Sequence, residues 1–470
     1  MDKRILLFAL AAALLLALST CGQGGSQERL VYQAIGQDGK PDPELVMLDD
    51  TGKELRRIAL PNDQAYPIPA EATLSGHALY RDSTNEKWLL VDVTSGSVQQ
   101  FAGFGQAQEF PRMLCGAGAH WALLCGEKGL YLLNADTGQA SEIPVEFGPS
   151  SIVSLFVMSQ VTHSGSHFLL WDAMTKGVWL VPTAAPEQTR KLGPDGSDLS
   201  AILSDDGDSV VYLDRTDVGD NRVVKEEIDG SAAQAILSGP DIRSVTFMPG
   251  NDQLVVNRSE SVSLLSLDDL QERTLFTLAG DLQGILFDPD GRKAAYGIRG
   301  SRTDPVEWTY LDLSTGEQRP LDALKGYLRG QGRAASRWRF ITDNLPTSTS
   351  AHIASLDLQT GQVRPLLFLE DLGFMPIVSL SDDGRIGLVT AYNKTGETQI
   401  WLLLADQDSA QLLAESKGAT GRLSPNGRWV ALFTAEQTAA GVKTEVKLVP
   451  TGQGQEKLLG EGFMPVWVRP

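Results

Sequence analysis

The sequence predicts an all-β chain: a β-propeller of four-stranded blades, written as about ten repeats of ~44 residues. Three observations predict it. A hairpin recurs at fixed spacing. A second turn marker follows with the same period. The final segment has the character of a strand that the first repeat lacks.

The hairpin is clearest in "LFDPDGRKAAYGI", residues 286–298. Phe287 ends an apolar run, Asp288-Pro289-Asp290-Gly291 has turn chemistry, and apolar residues resume at Ala294. Proline fixes φ for the first corner, aspartate caps the turn, and glycine takes the positive φ that ends it. Copies begin at Leu203 ("LSDDGDSVVYL"), Phe247 ("FMPGNDQLVV"), Leu380 ("LSDDGRIGLV") and Leu423 ("LSPNGRWVALF"). Their glycines, Gly207, Gly250, Gly291, Gly384 and Gly427, are spaced by 43, 41, 93 and 43, the long interval being two periods.

The second marker is an apolar strand, often an Asp, then Thr-Gly or its like. It ends at Gly52, Gly96, Gly138, Gly316, Gly361 and Gly452, with "EEIDG" at Gly230. From Gly52 to Gly452 there are nine intervals of about 44, which makes ten copies. Each copy has room for two strands in the hairpin, one before the Thr-Gly turn and one after it. Helical repeats of this length show apolar spacings of three and four, whereas these segments alternate or stay apolar for only 4–6 residues. A sandwich carries no fixed self-similarity of this kind.

The chain ends complete the pattern. "RLVYQAIGQDG", from Arg29, starts as a second strand with no inner strand before it. "GFMPVWVRP", from Gly462, follows the tenth copy with no hairpin of its own. The tail is therefore expected to pair with the first blade and close the ring, which removes an exposed edge. Ten copies fit a single large ring, two smaller rings, or a ring with two copies miscounted. Closure by the tail favours one ring.

The hairpins "FDPDGRKAAYG", "LSPNGRWVALF" and "LSDDGRIGLV" resemble the TolB-type, WD-repeat-like propeller repeats of bacterial envelope proteins: a strand, Ser-Pro-Asp-Gly-Lys/Arg, then an apolar strand. The resemblance covers nearly the whole mature chain, most strongly residues 198–323 and 373–470. It implies the fold. It leaves function open, because such propellers serve as protein-docking modules, as non-catalytic domains of serine peptidases and in some lyases.

The first residues read as a targeting segment. Lys3 and Arg4 precede an apolar run over residues 5–18, followed by small residues and Cys21. The run is shorter than the ~20 residues that span a bilayer. Leu18-Ser19-Thr20-Cys21 resembles the bacterial lipobox, with Thr20 where Gly, Ala or Ser is usual. That implies lipidation at Cys21, and several acyl chains anchor stably where one does not. The expected organisation is a lipoprotein signal peptide over 1–21, a flexible tether over 22–29 and a β-propeller over 30–470. The mature chain is expected to be exported and held on a bacterial membrane, on the periplasmic or outer-surface side.

Composition limits the partners. Net charge is −19, from 59 acidic and 40 basic residues. This argues against sequence-independent nucleic-acid binding, which needs a cationic surface. Two cysteines remain besides Cys21. A hairpin turning at residues 116–119 sets Cys115 opposite His120, far from Cys125, which favours buried free thiols over a bridge. Trp88, Trp179, Trp308 and Trp401 open the third strands of their copies and are expected to pack between blades.

No catalytic, cofactor or metal residue is singled out. The turn carboxylates Asp205, Asp206, Asp288, Asp290, Asp382 and Asp383 offer two side chains per motif, too few for calcium. His163 and His167 flank a Ser-Gly-Ser turn without a third ligand nearby; His77, His120 and His352 are scattered. There is no Gly-x-Ser-x-Gly elbow, Walker loop or paired-cysteine cluster.

Residues 324–352 form the least regular copy. There Arg329, Arg333, Arg337 and Arg339, with Trp338, make a basic spot in an acidic chain. It reads either as a docking patch for an acidic partner or as a solvated strand pair beside acidic neighbours. The leading functional reading is a non-enzymatic, monomeric docking or scaffold module for an envelope protein or peptide. The alternative is a secreted lyase or hydrolase acting on a glycan or small ligand in the central channel. That chemistry needs histidines or paired carboxylates converging there.

Overall fold

The turn signals place the strands. In the computed structural model, the described residues run from 28 to 469, apart from 36–40, 62–67, 70–73, 83–85, 102, 106–110, 112, 128, 146–156, 163, 173–176, 195–197, 205, 216–218, 328, 332–335, 344–348, 374–375, 409 and 439–440. They form ten four-stranded antiparallel sheets and two short 3-10 turns. The chain is a ten-bladed β-propeller.

Nine blades use four consecutive strands. Blade 7 is representative, with Asp281–Phe287, Lys293–Arg299, Glu307–Asp312 and Gln318–Pro320 in order. Its first turn works as the residue types require. Asp288 Oδ1 accepts from the Arg292 and Lys293 amides at 2.8 and 2.9 Å, and Gly291 sits at φ +64°. A Cβ on Gly291 would also meet Met248 of blade 6 at 3.0 Å. In other blades a serine does the aspartate's work: Ser204, Ser381 and Ser424 Oγ accept from Ser209, Ile386 and Trp429 amides at 3.0–3.1 Å. The turn acids cap likewise: Asp206 Oδ1 accepts from the Asp208 amide, and Asp383 Oδ1 from the Arg385 amide. At the second marker, Asp92 and Asp312 cap the Thr-Gly turns through their Oδ1 atoms.

Blade 1 is the composite that the chain ends predict. Its order is Glu54–Ala59, Pro41–Leu48, Arg29–Ile35, then the C-terminal strand Gly462–Val468. Leu30 pairs with Trp467 and Val31 with Val466. The first strand starts at Arg29, and Glu28 before it is already buried, so the fold begins inside the segment read as a tether.

One ring is formed. Among the described residues, each hydrophobic cluster joins two successive blades. Leu213 with Leu254 joins blades 5 and 6, and Leu30 and Tyr32 with Ala431 and Phe433 join blade 1 to blade 10. The series returns to its start without a break. This excludes two smaller rings. The four repeated tryptophans sit in these clusters as expected. Trp88 and Trp308 also donate to carbonyls of the segments that lead into the next blade, at Pro111 (2.9 Å) and Tyr327 (2.8 Å).

The cysteine expectation fails. Cys115 and Cys125 form a disulfide, with Cα atoms 5.9 Å apart. The strands Met113–Ala117 and Trp121–Cys125 run longer than expected, and the turn lies beyond Ala117. Met113 pairs with Cys125, and a bulge between Leu114 and Gly116 displaces Cys115 toward it. The bridge closes a short loop, so Cys125→Ser is expected to cost about 2–3 kcal/mol. A urea midpoint measured with and without reductant checks this; reductant should leave the variant unchanged.

Candidate functional site

Antiparallel order puts the first and third turns of every blade on one face, and the second turn on the other. On the first of these faces a cleft of about 410 Å³ opens between blades 7, 8 and 9. It sits where the sequence of blade 8, Gly332-Arg333-Ala334-Ala335, carries no Asp-Gly pair like those of its neighbours. Asp288, Pro289 and Asp290 from the blade 7 turn form one wall, and Asp383 and Arg385 from the blade 9 turn form the other. Ser336, Arg337, Trp338 and Gln359 of blade 8 form the floor.

The floor is fixed from below. The Gln359 carbonyl accepts from Lys293 Nζ (2.8 Å) and Tyr310 OH (3.0 Å), both from blade 7. Arg337 Nη1 donates to Gln359 Oε1 at 2.6 Å, and its guanidinium lies 5.0 Å from the centre of the Trp338 ring. Asp357 is 3.7 Å from Arg337 Nε. The Trp338 side chain is buried, while that of Arg337 is 47% exposed. An indole and a glutamine thus hold one guanidinium toward solvent. On the wall, Arg385 pairs with Asp406, and Asp383 accepts from its own turn.

The five predicted patch residues do not act together. Arg337 and Trp338 line the cleft. Arg339 is buried, and this corrects its reading as part of a docking surface. It donates to the carbonyls of Phe287 (2.7 Å), Trp338 (2.9 Å) and Ser336. It braces blade 8 to blade 7, and burial lowers its pKa. Arg329 pairs through its backbone with Thr342, and its side chain is not described. Arg333 and Cys21 lie outside the described residues. Sequence reading missed Gln359 and Asp383 as cleft residues; both belong to turns that look like ordinary repeats.

The histidines are dispersed. His120 Nδ1 lies 2.9 Å from Asp136, His352 Nδ1 2.6 Å from Asp343, and His77 Nδ1 2.8 Å from the Ser75 carbonyl. His167 is half-buried, which lowers its pKa, and His163 is outside the described residues. Among the described residues no group of three or more His, Cys, Asp or Glu is placed to hold a metal ion. No helix there is long and apolar enough to cross a membrane.

A second feature of the same face is the seam between the chain ends. Glu28 Oε1 accepts from the Asn426 amide of blade 10 at 2.7 Å. Arg29 Nη1 donates to the Val93 carbonyl of blade 2 at 2.5 Å, and Arg469 pairs with Asp382 of blade 9.

No protein-family model and no curated protein matches the sequence. Solved structures do. A eukaryotic initiation factor aligns with a TM-score of 0.50 at 12% identity, covering 95% of this chain and 100% of that one. At that identity it shows a shared fold and nothing more. An oligogalacturonate lyase in complex with manganese aligns at TM-score 0.43 and 12% identity, over 70% of this chain and 98% of that one. TolB from Acinetobacter baumannii aligns at TM-score 0.30 and 17% identity, over 66% and 82%. Neither of these last two likenesses carries weight.

Proposed function

We propose that the chain is a non-enzymatic docking module, held at a bacterial membrane by lipid on Cys21, whose cleft receives an envelope protein or peptide. The observation that supports this reading is the Arg337–Trp338 platform. The Asp288 carboxylate caps its own turn, Asp383 does the same, and Arg385 is matched by Asp406. What a visitor meets is the exposed part of the Arg337 guanidinium, which is held on one side by Gln359 and Asp357 and lies over an aromatic base, a surface suited to carboxylates, carbonyls and rings. The pre-formed floor lowers the ordering cost of binding.

A photoreactive side chain at Asp290, in the cleft, and one at Thr303, on the opposite face of blade 7, test the reading in native membranes. One protein is expected to cross-link from position 290 and not from 303. Arg337→Ala should weaken its capture by at least about tenfold, ~1.4 kcal/mol. Identical capture from both faces, or shortening of a glycan by the purified protein, would overturn the reading.

A further inference from the structure

We infer that the face bearing the cleft is the side of the ring turned toward the membrane, so that the partner is a juxtamembrane segment of a membrane-embedded protein. The inference rests on the lipid-anchor reading of Cys21.

The route of the chain supplies the geometry. In blade 1 the first strand ends at Val468, and the second begins at its pairing partner Arg29. The turn that joins these strands elsewhere is here the gap between the chain ends. The N-terminal segment therefore leaves from the same face as the first turns of all other blades. Glu28 and Arg29 are pinned there, by Asn426 in a first turn of blade 10 and by Val93 at the third turn of blade 2. The departure point also neighbours the cleft: Asp382, which pairs with Arg469, precedes the wall residue Asp383.

Length decides the orientation. Six residues lie between Cys21 and Glu28, and the seven Cα-to-Cα steps can reach at most about 25 Å. Strands of six or seven residues make a ring on the order of 20 Å thick. For the other face to meet the membrane, the tether would have to pass outward over the two remaining strands of blade 1, ~10 Å, and then down the ~20 Å thickness, more than it reaches, and a descent on the inner side past the C-terminal strand would take its whole extended length. The departure point is then held within about 25 Å of the headgroups, and the cleft beside it opens into the same gap. A partner that enters it has to offer its binding segment in that gap.

The test uses the lipidated protein from native membranes, reconstituted in vesicles whose headgroups carry an energy acceptor. A donor dye is placed at Thr315→Cys, in the third turn of blade 7, or at Thr303→Cys, in its second turn. Cys115 and Cys125 are bridged and do not take the dye. Transfer is expected to be at least about twofold stronger from 315, given faces ~20 Å apart. Equal or reversed transfer with the protein still bound to vesicles overturns the orientation alone. A Cys21→Ala chain that stays on membranes as tightly as the unaltered one overturns the anchor reading, and the orientation with it.

Discussion

Replacing Trp467 by alanine is expected to cost about 3–5 kcal/mol of stability, the range for a buried tryptophan truncated in place. The residue lies in the C-terminal strand of blade 1, only 6% exposed, packed with Leu30, Tyr32, Ala431 and Phe433. Its Nε1 donates to the Arg422 carbonyl of blade 10 at 2.9 Å. It thus contributes to two contacts at once: the strand pairing that closes blade 1 and the packing that joins blade 1 to blade 10. Trp467→Phe keeps most of the apolar contact and loses the hydrogen bond, so a smaller loss of about 1–2 kcal/mol is expected. Urea unfolding followed by far-UV circular dichroism measures both. A midpoint for Trp467→Ala within error of the unaltered chain would mean that the seam does not limit stability.

Glu28→Gln is expected to make the protein more stable at pH 8 and to change little near pH 4.5. Burial pushes the Glu28 carboxyl up from its ordinary 4.5 to about 7. The Asn426 amide and Arg469 oppose the shift, while Asp382 and Asp50 add to it. The folded state holds this proton more tightly than the unfolded chain does. Its contribution is therefore fully present below about pH 4.5 and lost as pH rises through about 7. The loss is at most about 3.5 kcal/mol, from the rise from 4.5 to about 7 at ~1.4 kcal/mol per pH unit. Glutamine retains an oxygen for the Asn426 amide and removes the titration. Other carboxylates titrate in the same range, so the measured quantity is the difference between the two chains. A difference that stays constant from pH 5 to 8 would rule Glu28 out as the group responsible.

The propeller was legible because its information is local and repeated. Asp288 and Gly291 set a turn by bonds within five residues of chain, and the same chemistry recurs at Ser204, Ser381 and Ser424. Closure was legible too, since a missing first strand and an orphan last strand can be counted without coordinates. The disulfide was not. Its pairing depends on a bulge between Leu114 and Gly116, and bulges leave little trace in residue type. The arginine cluster misled for a related reason. Residues 337 and 339 lie on the same side of an ideal strand, yet Arg337 precedes the strand that begins at Trp338, while Arg339 is inside it and buried.

What the sequence by itself determined is the repeat unit of about 44 residues and the latch between tail and head, while the count of ten blades in one ring came from the structure. The unit and the latch follow from turn residues and alternation read a few positions at a time. What only the tertiary structure decided is the cleft, the role of Arg339 and the setting of Glu28. The cleft walls are turns 93 residues apart, over a floor whose Gln359 is anchored from another blade. Glu28 titrates as it does because residues nearly four hundred positions away bury it. Such environments arise when blades are set side by side around one axis, and spacing along the chain does not encode which side chains then meet.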